Sequence, residues 1–378
     1  MRFKAYTYDW SKYCCSDFLK SYSTNSLSWD KLSYEDSDGV LNLHYGLIHN
    51  GAPTLIDTAS YNLPKIIEDM PKSYELCKNG DVIFADASED TNDICKPVEI
   101  LKANGKSIVS GLHTIHTRDY KDLTCVGFKG YLFSSKSFHK QVFRLTQGTK
   151  IFSISFNNFR EMSVSIPQKE EQRKIVAFLS QIDERIETQS KIIEKLKSQI
   201  ILISNIMVKA ISQKISLGEI CIFERKTAHQ SSEGLSNGSY PFFTNEEETV
   251  KFFNSYDFNG EYIIANTGGK ANFKYYNGKF AAMSDCLIIK IKDASLTKFY
   301  SIVFSNLQKY IDYVGFEGSG LKHLNKDWLL KLQVPQYGKE AEIFIKMIDN
   351  LKEKLQKEKD ILSLYKKQKA YLLSNMFI

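Results

Sequence analysis

Ser163-Val164-Ser165-Ile166-Pro167-Gln168 is a short alternating strand stopped by a proline, and a near copy stands at Lys331-Leu332-Gln333-Val334-Pro335-Gln336. Proline cannot donate to a ladder, yet its fixed φ suits the first turn of a helix. A long helical pattern follows each junction, and the two patterns close alike, in Leu202-Ile203-Ser204-Asn205-Ile206-Met207 and Leu372-Leu373-Ser374-Asn375-Met376-Phe377. Upstream, Gln147-Gly148-Thr149 and Glu317-Gly318-Ser319 stand at matching places, with Asn157 and Asn325 after them. The chain reads as globule, helix, globule, helix, which is two copies of a domain-plus-helix module and not a solenoid of short repeats. The boundaries that follow are 1–166, 167–213, 214–334 and 335–378.

In the first helical pattern, Ile175, Leu179, Ile182, Ile186, Gln189, Ile193, Leu196, Ile200, Ile203, Met207 and Ala210 keep an unbroken four-three spacing. That is a coiled-coil seam, and Gln189 is its one polar member. Glu170 and Glu171 fall in the first turn, where the helix dipole favours negative charge. At 1.5 Å per residue the run from Glu170 to Ile211 is roughly 63 Å long, more than a small domain is wide. The second stripe (Phe344, Ile348, Leu351, Leu355, Leu362, Tyr365, Leu372, Met376) is interrupted by Glu358 and Lys369. One helix leads out of the first globule and the other returns from the second. They are therefore expected to pack antiparallel and to hold the globules apart.

Within the globules, Asp81–Ala85, Ser107–Ser110, Glu261–Ala265 and Cys286–Ile291 read as strands and the segment around Phe138 to Arg144 as helix. Asn259-Gly260 and Asn277-Gly278 stand between alternating runs, a strong hairpin signal. Both globules are expected to be α+β with curved antiparallel sheets.

The 378 residues suit two or three folding units. A net charge of +6 permits nucleic-acid binding without demanding it. There is no apolar run of roughly 18 residues, and the start lacks the apolar core of a secretory signal. Seven cysteines, with Cys14-Cys15 adjacent and no CxxC, read as reduced thiols in a cytoplasmic protein.

Catalytic motifs are scarce. The prolines are never adjacent, so the Asn/Asp-Pro-Pro-Tyr/Phe loop usual in adenine amino-methyltransferases is missing. Asn104-Gly105-Lys106-Ser107 resembles the end of a P-loop, but Ile100 stands where the first glycine must be. His113 and His116 lack a third ligand, so no metal site is expected. Glu224-Arg225-Lys226 has the end of a nuclease motif without its preceding Asp and reads as a surface turn.

The polar loops are better candidates. Thr267, Gly269, Lys270, Asn272, Lys274 and Tyr275 lie in Asn266–Tyr276, which combines flexible backbone, amides, lysines and aromatics. Glycines let the backbone approach phosphate, lysine neutralises it and Asn can read adenine. A plain hairpin loop with a buried Tyr explains the same segment. Thr244 and Asn245 form a weaker candidate. In Ser110–Arg118, alternation could turn His113, His116 and Arg118 toward DNA, or the segment could be a purely structural strand.

As a whole the chain resembles the specificity subunits of type I restriction-modification systems. The likeness rests on Gly130-Tyr131-Leu132-Phe133 through Gln147-Gly148-Thr149, then Ile166-Pro167, Glu171-Gln172, Lys174-Ile175 and Ile182-Asp183. Val334-Pro335, Ile348-Asp349 and Leu372–Phe377 echo it, with Glu340-Ala341 where Glu171-Gln172 stands in the first copy. The resemblance implies a non-catalytic chain whose globules each read one half of a bipartite target in double-stranded DNA. It implies helices that set the gap and dock two modification (methyltransferase) subunits carrying S-adenosylmethionine, joined by restriction subunits that use ATP and Mg. Two other readings are a two-headed protein-binding scaffold and an enzyme with an unfamiliar site. Salt-insensitive protein binding without DNA marks the scaffold, and turnover by the isolated chain marks the enzyme.

Overall fold

The two helical patterns are realised as Lys169–Ala210, of 42 residues, and Lys339–Asn375, of 37. The computed structural model describes all residues except 1–2, 4–5, 36–38, 68–73, 92, 149, 247–250 and 378, so Thr149 lies outside the described residues. Each long helix gives one part to each of two units, unit 1 (1–189 with 361–378) and unit 2 (190–360). Among the described residues no helix is long and apolar enough to cross a membrane.

The seam is the buried side of these helices. Ile175, Leu179 and Ile182 belong to the core of unit 1, with Ile186 packed against it. Gln189, Ile193 and Leu196 are buried, and Ile200 packs on the core of unit 2. Leu351, Leu355, Leu362 and Tyr365 are half-buried. In unit 1, Lys369 pairs with Asp183 at 2.5 Å and the guanidinium of Arg185 lies 6.0 Å from the Tyr365 ring centre. Rising numbers on one helix thus meet falling numbers on the other, and the helices run antiparallel there.

The main sheet of unit 1 has the order Leu19–Tyr22, Thr114–Asp119, Val82–Ala85, Pro97–Lys102, Leu55–Asp57. Unit 2 repeats its first four places with Cys221–Phe223, Cys286–Ile291, Phe258–Asn266 and Phe273–Ala282, then adds Tyr240–Phe243 and Lys251–Phe253. Pairing is antiparallel except for Leu55–Asp57 with Pro97–Lys102, Leu41–Leu43 with Ile108–Ser110, and Tyr240–Phe243 with Phe273–Ala282. The helical segment around Phe138 is Lys136–Leu145.

Hydrogen bonds correct three sequence expectations. Ser155 caps the helix Phe156–Arg160 by accepting from the Asn158 amide, and Asn325 caps Lys326–Lys331 by accepting from the Trp328 amide. Ser155, not Asn157, is therefore the counterpart of Asn325. The ladders pair Cys14 with Ser163 and Ser216 with Gln333. Counting from there, Pro335 stands level with Ser165, two places before Pro167, because it ends its strand inside the ladder. Thirdly, neither Asn-Gly is a turn. Gly260 faces Gly278 across the ladder at φ +138° and +142°, and a Cβ at Gly278 would come within 3.3 Å of the Tyr276 ring. The glycines make room for tyrosine rings, and the actual turn lies at 267–272.

The matched Gly148 and Gly318 do share a role. Their φ values are +121° and +138°, and an added Cβ would meet the carbonyl oxygens of Ile151 at 2.0 Å and Leu321 at 2.9 Å. Only glycine closes either turn without a clash.

Candidate nucleic-acid interface

In unit 2 the turn 267–272 is built around Asn266, a buried amide. Its Nδ2 donates to the carbonyls of Gly268 and Lys270, and its Oδ1 accepts from the Asn272 amide at 2.7 Å. The turn is clasped from outside as well. Thr267 N–H donates to Asp285 O at 3.0 Å, Gly269 N–H to Lys322 O at 3.0 Å, and Leu324 N–H to Thr267 O at 2.9 Å. Ala271 N–H donates to Asp312 Oδ1 at 2.6 Å. This loop is preorganised, not slack. It borders a cavity of about 440 Å³ lined also by Asn245, Asp285, Leu321 and His323.

The structure thus brings Asn245, Thr267, Gly269, Lys270 and Asn272 together around one concavity. Gly269, at φ +81°, has open space where a side chain would be, so a backbone or phosphate can come close there. Lys274 stands beside the group, its ammonium donating to the carbonyls of Thr244 (3.4 Å) and Glu246. Thr244 is buried and accepts from the Glu246 amide at 3.3 Å. Tyr275 does not join them. Adjacent strand residues point to opposite faces, and its hydroxyl donates to Glu261 at 3.1 Å. Burial, then Glu261, pushes its phenol up to about 12.

Unit 1 overturns the expected alternation. Strand Thr114–Asp119 is flanked on both edges and covered on both faces, and Thr114, Ile115, His116 and Thr117 are all buried. His116 is fully buried, with Nε2 2.8 Å from Asp81 Oδ2. Arg118 binds both Asp81 oxygens at 2.8 Å and Glu75 at 2.9 Å, and lies 4.4 Å from the Tyr22 ring centre. His116 and Arg118 are thus committed to contacts inside the unit. Of the three, only His113 is exposed, with its side chain 52% accessible and Nδ1 3.4 Å from Asp86.

Cys77, Asp81 and His116 have ligand atoms within 4.8 Å of one another, a spacing that metal could use. Both Asp81 oxygens are already committed to Arg118, and Oδ2 also accepts from Lys78 N–H at 2.8 Å. We read the group as a buried ion-pair network. Burial alone would raise the Asp81 carboxyl, but hydrogen bonds from His116 and Arg118 outweigh it and hold the acid below its ordinary value.

Sequence reasoning included Asn266 in its candidate segment but missed Asp285, Leu321 and His323 in unit 2, and Asp86 in unit 1. The clasp of unit 2 recurs in unit 1, where Asp86 N–H donates to His113 O at 3.1 Å and Ile154 N–H to Asp86 O at 3.0 Å. Asp86 therefore stands where Thr267 does, and His113 where Asp285 does.

The family described as the type I restriction modification DNA specificity domain matches residues 97–198 and 212–364. Two Mycoplasma pneumoniae proteins named as type I specificity subunits are similar. S.MpnORF507P is 31% identical over 144 residues, 36% of this chain and 38% of that protein. S.MpnORF365P is 28% identical over 168 residues, 40% of this chain and 61% of that protein. The matches therefore span less than two thirds of either relative. Among solved structures, the type I restriction-modification S subunit of M. genitalium aligns with a TM-score of 0.59 and 17% identity over 98% of this chain and 96% of its own. A chain from a type I R-M system studied for complex assembly and conformational transition aligns at 0.57 and 14%, over 97% and 96%. At these identities the likeness is one of fold.

Proposed function

The chain belongs to the type I restriction modification DNA specificity family, and from that premise we propose that it is the DNA-reading subunit of a restriction-modification complex. Residues 1–166 and 214–334 each read one half of a bipartite target in double-stranded DNA. Residues 167–213 and 335–378 set the gap and dock two methyltransferase subunits. The chain performs no chemistry itself: S-adenosylmethionine belongs to the modification subunits, ATP and Mg to the restriction subunits. The assembly works in the cytoplasm.

One observation carries this reading. Each unit clasps its candidate loop with the same pair of backbone hydrogen bonds, Asp86 to His113 with Ile154 to Asp86, and Thr267 to Asp285 with Leu324 to Thr267. Two copies of one site suit two half-targets. The side chains at the two copies differ, as two half-targets of different sequence require. A scaffold would use the exposed helix faces but leaves the preorganised loops without a task.

Methylation mapping in cells carrying this chain with its modification partner tests the proposal. Methylated adenines should fall in one split sequence. Exchanging 214–334 for the corresponding domain of a relative should alter one half of it and leave the other. A change in both halves, or methyl transfer by the purified chain alone, would overturn the assignment.

A further inference from the structure

The site of unit 2 is a cavity of amides and backbone, but its counterpart in unit 1 is built differently. Around His113 lie Tyr45, with ring centres 5.3 Å apart, then His44 at 4.6 Å and His49 at 5.8 Å from Tyr45. Trp29, 46% exposed, packs edge-on against His44 at 5.4 Å. We propose that this cluster, with Trp29, His49 and His113 as its contacting residues, is where the first globule reads its half of the DNA target. The inference rests on the DNA-reading proposal above and deepens it.

Three observations support it beyond position. His113 holds φ +52°, a left-handed conformation that non-glycine residues adopt rarely and that clusters at functional sites. It lifts the ring out beside Asp86 instead of into the core. Next, His44 carries an unused hydrogen bond. Its Nδ1 accepts from the Gly46 amide at 3.1 Å, and burial, then His113, lowers its pKa, so the ring is neutral and Nε2 bears the proton. That buried donor has no partner among the described residues, a cost that native structures rarely leave unexplained. Lastly, His49 Nε2 donates to Ala87 O at 2.8 Å, which fixes its ring beside Tyr45.

The cluster therefore offers a base edge the exposed His113 ring and the apolar face of Trp29 at one place. A histidine donor suits N7 of either purine or O6 of guanine in the major groove, and the face of Trp29 suits a thymine methyl. None of the three contacting side chains belongs to the buried apolar cluster of this region, which includes Leu43, Leu47 and Ile48.

The test uses the full chain assembled with its modification subunits and selection from randomised duplex DNA. Trp29→Ala and His113→Asn are the variants, the second because Asn tolerates the left-handed backbone. Each should relax or change bases in one half-target only, with affinity for the original target reduced roughly tenfold, the scale of one base contact. Lys270→Ala with Asn272→Ala should act on the other half. If both unit 1 variants keep both half-targets and full affinity while the unit 2 variant shifts its half, the inference fails and the DNA-reading proposal stands. Changes in both halves from a unit 1 variant also overturn it. If the unaltered complex selects no split target, both fall.

Discussion

Asp81 accepts from the Lys78 amide, His116 and Arg118, the last through both carboxylate oxygens, all at 2.8 Å. The sequence left His116 and Arg118 open between a DNA-facing side and a purely structural strand, and the structure buries His116 and ties Arg118 to Asp81. The strand they occupy is central, and a strand covered on both faces loses the meaning of alternation. Nothing short of knowing the strand order could have told the two cases apart. The network has a consequence in acid. The folded Asp81 acid is weaker-binding for protons than its unfolded form, whose pKa is about 3.9. Its stabilisation is therefore complete above that value and is lost as pH falls through the folded one. We expect Asp81→Asn to cost about 1–3 kcal/mol at neutral pH, because Arg118 loses a carboxylate that binds it through both oxygens and keeps only Glu75 as a charge partner. We also expect a flatter decline than wild type below about pH 4. Urea melts at several pH values read both, and parallel curves for the two proteins would sink the assignment.

At the scale of elements, the long helices were the most legible part of the chain, because a four-three seam and a proline junction are local signals. Lys369, which interrupts the second stripe, is no flaw in it. Its ammonium pairs with Asp183 at 2.5 Å, reaches Thr54 Oγ1 at 3.2 Å and lies 5.7 Å from the Tyr131 ring centre. The Asn-Gly pairs misled for the opposite reason: a glycine dipeptide is a turn signal only where no ring lies across the strand. The loop 266–272 was legible as polar and flexible, but its clasp depends on Asp285, Asp312 and Lys322, remote in sequence. The helices also carry apolar side chains away from the seam. Ile201 and Leu202 are 62% and 58% exposed, while Leu179 is fully buried. Leu179→Ala should cost about 2–5 kcal/mol of stability. Ile201→Asp with Leu202→Asp should shift stability by less than about 0.5 kcal/mol per site, yet weaken co-elution with the modification subunits. Unchanged co-elution would remove this face from the docking surface.

At the scale of the whole molecule, the two long helices are the continuous elements that pass from one unit to the other, since the divisions at 189/190 and 360/361 both fall within them. If each unit reads one half-target, any protein-set distance between the halves runs through these helices. A heptad keeps the seam in register, because seven residues restore its four-three pattern. Inserting one heptad in each helix adds about 10.5 Å of helix at 1.5 Å per residue. That is comparable to about three base pairs at 3.4 Å each. The added pairs also turn the second half-target by nearly a third of a DNA turn of about 10.5 base pairs, so the complex must twist to follow. Binding should weaken, and the preferred gap should lengthen while both half-target sequences stay the same. A selection on DNA with randomised gap lengths separates the possibilities. An unchanged preferred gap would move the measuring role from the helices to the modification subunits, which clamp the same DNA in the proposed complex.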